Sequence, residues 1–161
     1  MLVRTKKILP TLTTGIAGCL LIAQFITIQR TNPPLKGNLA APPQINSLLR
    51  GACYDCHSNE TRWPWYTYIA PVSWLVEHDV ERGRQELNFS EWGSYYATTR
   101  RRKLQWMYRA LREETMPPWT YRILHPGTGF TQKDLMALEQ WIEAEIANQP
   151  EKKSEYEENS K

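Results

Sequence analysis

The sequence predicts an all-α domain standing behind a single N-terminal apolar helix. Apolar residues recur at helical spacing in four separate stretches of the 161-residue chain, and no strand-like alternation or internal repeat interrupts them. Residues 8–28 carry no charge, whereas the chain after residue 30 is polar between its stripes.

Taken in order, residues 1–30 read as a signal anchor. The uncharged run of 21 positions suffices to cross the ~30 Å hydrocarbon core as one transmembrane helix. Arg4, Lys6 and Lys7 precede it, which places the N-terminus in the cytoplasm and the rest of the chain outside. Two rivals are a cleaved signal peptide and a lipidated Cys19 in Ile16-Ala17-Gly18-Cys19. The run is longer than an ordinary signal core and lacks an A-x-A site, and it stays mostly apolar past Cys19, so the uncleaved anchor is preferred. Each route delivers the domain to the extracytoplasmic (periplasmic) side of a bacterial cytoplasmic membrane.

Residues 31–43, rich in Pro, Asn and Gly, read as an extended linker that lifts the domain off the membrane. The domain then spans residues 44–149. Its first helix should start near Pro43 and carry Ile45, Leu48, Leu49, Ala52, Cys53 and Cys56 on one face. A second helix is expected from Pro71 to Leu87, with Val72, Leu75, Val76 and Val80 turned inward. After a turn over residues 88–93, a third runs to about Glu114 on Leu104, Met107, Tyr108 and Leu111. Met116-Pro117-Pro118 ends it and opens a loop to Phe130. The last helix starts at Thr131, an N-cap with Asp134 three residues on, and buries Leu135, Leu138, Ile142 and Ile146 with Trp141 beside them. Residues 150–161 are charged, nearly free of apolar side chains, and expected to be disordered.

Charge and cysteine count narrow the chemistry. The formal net charge is +3, but residues 1–30 hold four basic side chains and no acid, leaving the remainder at −1. The basic excess belongs to the membrane end, and no nucleic-acid footprint is expected. Arg100, Arg101, Arg102, Lys103, Arg109 and Arg112 make one helix face basic. A solvated face is the default reading, and pairing with an acidic partner or with anionic cofactor groups is the sharper one. Three cysteines are too few for a disulfide framework.

Only Cys53 and Cys56 can act together, and they do so in Cys53-Tyr54-Asp55-Cys56-His57. This C-x-x-C-H spacing is that of c-type haem attachment. Each thiol can add to one vinyl group of a haem, and the histidine that follows is carried under the iron as its proximal ligand. One covalent haem c is therefore expected, with Trp63, Trp65 and Tyr66 packing around it. Met116, on a proline-stiffened loop, is the leading distal iron ligand, and His125, nine residues further on, is the alternative. His78 projects away from its helix's apolar face and is expected at the surface. Met107 and Met136 are expected in the core. A Cys2His2 zinc site from Cys53, Cys56, His78 and His125 would leave His57 without a role. A thioredoxin-type dithiol would follow a strand, and here a helical face leads into the motif.

The chain resembles the bacterial haem-binding domain family of small exported c-type haem proteins. The resemblance rests on residues 52–66 (ACYDCHSNETRWPWY), Ile69-Ala70-Pro71-Val72-Ser73-Trp74-Leu75 and Gly83-Arg84. It continues in Leu87-Asn88-Phe89-Ser90-Glu91-Trp92, Met116-Pro117-Pro118, Tyr121 and His125-Pro126. It implies covalent haem, a mostly helical cytochrome-c-like fold and an extracytoplasmic location, and it assigns no role to the methionine. Together these readings give a membrane-anchored monohaem cytochrome c that passes one electron to an unidentified redox partner protein. The alternative is a peroxidase-like haem enzyme or gas sensor with an open or displaceable sixth iron position.

Overall fold

A computed structural model of the chain describes residues 5–149; the expectation for residues 150–161 lies outside them. Among the described residues the structure is helical, with no strand. The elements are α1 (Thr5–Ala23), α2 (Pro43–Ala52), α3 (Tyr54–His57), α4 (Val72–Glu86), α5 (Ala97–Arg112), α6 (Trp119–Leu124) and α7 (Gln132–Ala147). Two 3-10 turns, Trp65–Tyr68 and Phe89–Ser94, flank α4.

The expected spanning helix over residues 8–28 is not what forms. α1 starts earlier and stops at Ala23, and no helix among the described residues is long and apolar enough to cross a membrane. Past Ala23 the chain turns and fastens onto the domain. The Gln24 side-chain amide donates to the Ala70 carbonyl (3.1 Å) and accepts from the Ala70 N–H (3.0 Å). The Trp74 indole N–H donates to the Ile26 carbonyl, and Arg30 donates to the Thr67 carbonyl (2.8 Å) while lying over the Tyr68 ring.

The stretch expected as a linker continues this strapping. Asn32 donates to the Thr61 carbonyl, and Asn59 donates to the Pro34 carbonyl. The backbone N–H groups of Lys36 and Leu39 bond the carbonyls of Ser90 and Phe89. Leu39 is buried in the core. With these bonds made, residues 32–39 follow the domain surface.

α2 opens with proline at its first position, where the missing N–H costs nothing. It buries Ile45, Leu49 and Ala52. A continuous helix through Cys56 was expected, but the backbone departs from helix at Cys53 (φ −120°) and restarts as the single turn α3. α7 begins as expected: the Thr131 side chain accepts from the Asp134 N–H, and Asp134 accepts from the Thr131 N–H, completing a capping box.

The core lies where α7 packs on α5 and α2. Leu49, Leu104, Leu138 and Ile142 are all but fully buried there, with Tyr54 and Phe89 stacked beside them. Burying each such aliphatic side chain stabilises by about 1.5–3 kcal/mol. Met136, expected inside, is exposed: it sits off the Leu135–Leu138–Ile142 stripe. Two residues of the basic face of α5 close the ends of neighbouring elements. Arg101 donates to the carbonyls of Ile146 and Gln149 at the end of α7, and Arg100 donates to those of Trp92 and Gly93.

Candidate functional site

α3 lies against α4, and their close approach depends on one residue. A Cβ at position 83 would stand 2.5 Å from the Cys56 carbonyl oxygen, so only Gly83 admits this packing. The contact presents the ends of the motif to a cavity of about 570 Å3, within the roughly 300–1,000 Å3 usual for ligand sites. Cys53, Cys56 and His57 form one wall. Val72, Leu75, Val76 and Val80 of α4, Met107 and Leu111 of α5, and Met116 and Leu124 close much of the rest.

His57 is held from behind. Its Nδ1 lies 2.8 Å from the Gly83 carbonyl oxygen and 3.1 Å from that of Leu87. Carbonyls only accept, so Nδ1 carries the proton and Nε2 keeps a free lone pair. Burial holds the ring below the ordinary imidazole pKa, in the neutral form that binds metals. Burial likewise pushes both thiols up to about 12, helped by the neighbouring Cys56 in one case and by Asp79 and Asp55 in the other. Both cysteines are free, neutral thiols facing the same space.

The turn itself is pinned by a polar network. Ser58 Oγ donates to the Tyr54 carbonyl (2.7 Å), and Thr61 Oγ1 donates to that of Asp55 (2.8 Å). Asn59 accepts from the Asn88 amide (2.8 Å). Asp55 is buried between the two cysteines and accepts four bonds. The Arg62 N–H and Nε reach Oδ1, and Arg62 Nη2 and the Tyr121 hydroxyl reach Oδ2, at 3.0 and 2.8 Å. Burial, then the Asp55 charge, drives the Tyr121 pKa upward, so its hydroxyl stays a donor.

The two candidates for the far side of the cavity differ in how they are engaged. Met116 lines it from the loop after α5, 44% exposed. His125 also lines it, but both its nitrogens are taken. Nδ1 donates to the Tyr121 carbonyl (3.1 Å), and Nε2 accepts from the Tyr66 hydroxyl (3.2 Å). Its ring stacks on Tyr121 at 4.0 Å.

Of the aromatic side chains expected to pack on the bound group, Tyr66 lines the cavity and Trp63 and Trp65 do not. The 3-10 turn buries Thr67, whose hydroxyl donates to the Pro64 carbonyl, and that register turns Trp65 out to solvent. His78 is exposed, as its projection suggested, yet it borders the cavity. Lys103 is the basic residue of α5 that reaches the cavity wall; its ammonium donates to the Glu86 carbonyl. Among the described residues no group of three or more His, Cys, Asp and Glu side chains gathers to hold a metal ion, so the zinc alternative has no assembled ligand set.

Asp55, Gly83 and Leu87 stood in the sequence without a role assigned to them. Asp55 had a legible signal, a carboxylate fixed between two cysteines. The backbone carbonyls had none.

An apolar-walled cavity, two thiols on one side and an imidazole with one nitrogen committed to backbone carbonyls suit a haem. No curated protein and no solved structure matches the chain. A family model described as Haem-binding domain matches residues 18–144, a span that contains the whole cavity wall, and the chain belongs to that haem-binding family.

Proposed function

We propose that the chain is a monohaem c-type cytochrome that carries single electrons outside the cytoplasm. The observation that carries this is the Nδ1 bond of His57 to the Gly83 carbonyl. It fixes the ring's tautomer and orientation and leaves Nε2 for the iron, with both thiols on the same wall. In this reading Cys53 and Cys56 hold one haem by thioether bonds, His57 is the proximal ligand and Met116 the distal one. The bound iron supplies a one-electron couple, which a thioether ligand raises relative to two imidazoles.

The protein's own residues do the rest. Val72, Leu75, Val76 and Leu124 give the cavity apolar walls, and the Ser58–Asn59–Thr61 network keeps the attachment turn rigid. Met116 is favoured over His125 because the imidazole is already committed to Tyr66 and Tyr121. Membrane attachment through the uncharged N-terminal run rests on the sequence, as does the bacterial extracytoplasmic location. Contact with a redox partner protein completes the reading.

A haem stain on a denaturing gel should mark the wild-type chain and vanish completely for Cys53→Ala/Cys56→Ala. The ferric wild type should be low-spin with a sulfur-to-iron charge-transfer band that Met116→Ala abolishes. A rapidly cyanide-binding, high-spin ferric protein would instead support the enzyme or sensor reading.

A further inference from the structure

The attachment turn and the loop that bears Met116 are joined by a single buried carboxylate. Tyr121 lies in the first turn of α6, five residues after Met116, and its hydroxyl is 2.8 Å from Asp55 Oδ2. Asp55 is itself fixed between Cys53 and Cys56 and clamped by Arg62 through both carboxylate oxygens. The far loop is thus latched to the turn that carries the thiols and His57. The same α6 segment ends at His125, stacked on Tyr121 and bonded to Tyr66. Two side chains able to bind iron therefore border one cavity, and the hydrogen bonds treat them oppositely: His125 is occupied at both nitrogens, whereas Met116 makes no polar contact among the described residues.

We propose that Asp55, Tyr121 and Tyr66 are positioning residues that select the sixth ligand, holding Met116 in place and withholding His125. The inference rests on the reading above, in which a haem fills the cavity with His57 on its iron. The Asp55–Tyr121 bond keeps α6 seated, so the methionine loop cannot swing outward. The Tyr66 bond must break before His125 Nε2 can reach a metal. Loss of both bonds removes the preference.

The test compares ferric full-length protein with Tyr66→Phe/Tyr121→Phe, in which both rings remain and only hydroxyls are lost. The readouts are the sulfur-to-iron band, low-temperature electron paramagnetic resonance and the midpoint potential. The ratio of His-ligated to Met-ligated iron should rise about tenfold or more, since one of the lost bonds is to a charged group. The potential should fall with it, and adding His125→Asn should restore the methionine band. An undiminished band in the double variant overturns the proposal while leaving Met116 as ligand. A lost band that His125→Asn does not restore also overturns it, because the hydroxyls would then only stiffen the loop. A wild type whose spectrum ignores Met116→Ala overturns the ligand reading itself and this inference with it. Should the double variant fail to fold, Tyr66→Phe alone decides: a His125-ligated fraction above wild type supports the proposal, and an unchanged one overturns it.

Discussion

α4 and α7 carry apolar stripes that look alike on a helical projection and meet different surroundings. On α7, Leu138 and Ile142 are fully buried against α5 and α2. On α4, Val72 and Leu75 remain 38% and 53% exposed, and both line the cavity beside the two thiols. A stripe closed by protein is core. A stripe that protein leaves open, next to an imidazole and two half-buried thiols, is the wall of a ligand site. The domain therefore has a half that is complete as polypeptide and a half whose apolar surface is left for a ligand, which in the proposed reading is the haem.

The sharpest way to break this contrast is to truncate one leucine in each half. In haem-free protein, Leu138→Ala should cost about 2–5 kcal/mol in urea unfolding, the usual penalty for a cavity in a close-packed core. Leu75→Ala should cost under about 0.5 kcal/mol there, as a surface change does. In the haem-loaded protein the cost of Leu75→Ala should grow, while that of Leu138→Ala should stay put. Equal costs without haem would mean that α4 is closed by polypeptide and that the open half does not exist.

The same contrast explains what could be read beforehand. The α5 and α7 stripes were legible to the residue, through Leu104, Leu111, Leu138 and Ile142, because helical periodicity reports burial against other helices. The α4 stripe was equally legible, but periodicity does not distinguish a protein partner from a ligand. The motif from Cys53 to His57 pointed to a haem protein through its spacing, in agreement with the family match, and Met116 and His125 were legible as candidates. What hid was everything delivered by backbone or by close approach: the break at Cys53, the carbonyls behind His57, and the Gly83 contact. α1 misled for a related reason. An uncharged run measures how far a helix could extend, and this one ends at Ala23, where the backbone turns and Gln24 bonds to Ala70. The linker composition misled too, since Pro34, Lys36 and Leu39 contribute backbone groups that the domain binds.

Gly83 lies at the boundary between the two halves, and its substitution has a sign that the contrast decides. In an exposed helix interior, Gly→Ala stabilises by about 1 kcal/mol. Here the new Cβ would meet the Cys56 backbone at 2.5 Å, and backbone cannot rotate away. Gly83→Ala should therefore destabilise, by the roughly 1–3 kcal/mol typical of overpacking. It should also loosen the His57 bond to the Gly83 carbonyl, lowering the fraction of iron in the low-spin ferric state. A gain in stability on urea titration would show that α3 and α4 are not in this contact.

A further effect belongs to the closed half, at the start of α7, and it depends on pH. Thr131 Oγ1 accepts from the Asp134 N–H, and the Asp134 carboxylate accepts from the Thr131 hydroxyl and N–H (2.6 and 3.0 Å). These bonds hold the Asp134 pKa below its ordinary value. A carboxylate with a depressed folded-state pKa stabilises above its unfolded-state pKa, and that contribution is lost as pH falls through the folded-state value. Thr131→Ala should cost about 1 kcal/mol near neutral pH, the usual worth of an N-cap side chain. The gap between the two proteins should narrow only once the pH drops below about 4, the ordinary aspartate value. A gap that stays constant through that range would assign the cap to the threonine hydroxyl alone, with Asp134 a bystander. Because α7 lies in the half closed by protein, the gap should also be the same with and without haem, which the open-half variants cannot show.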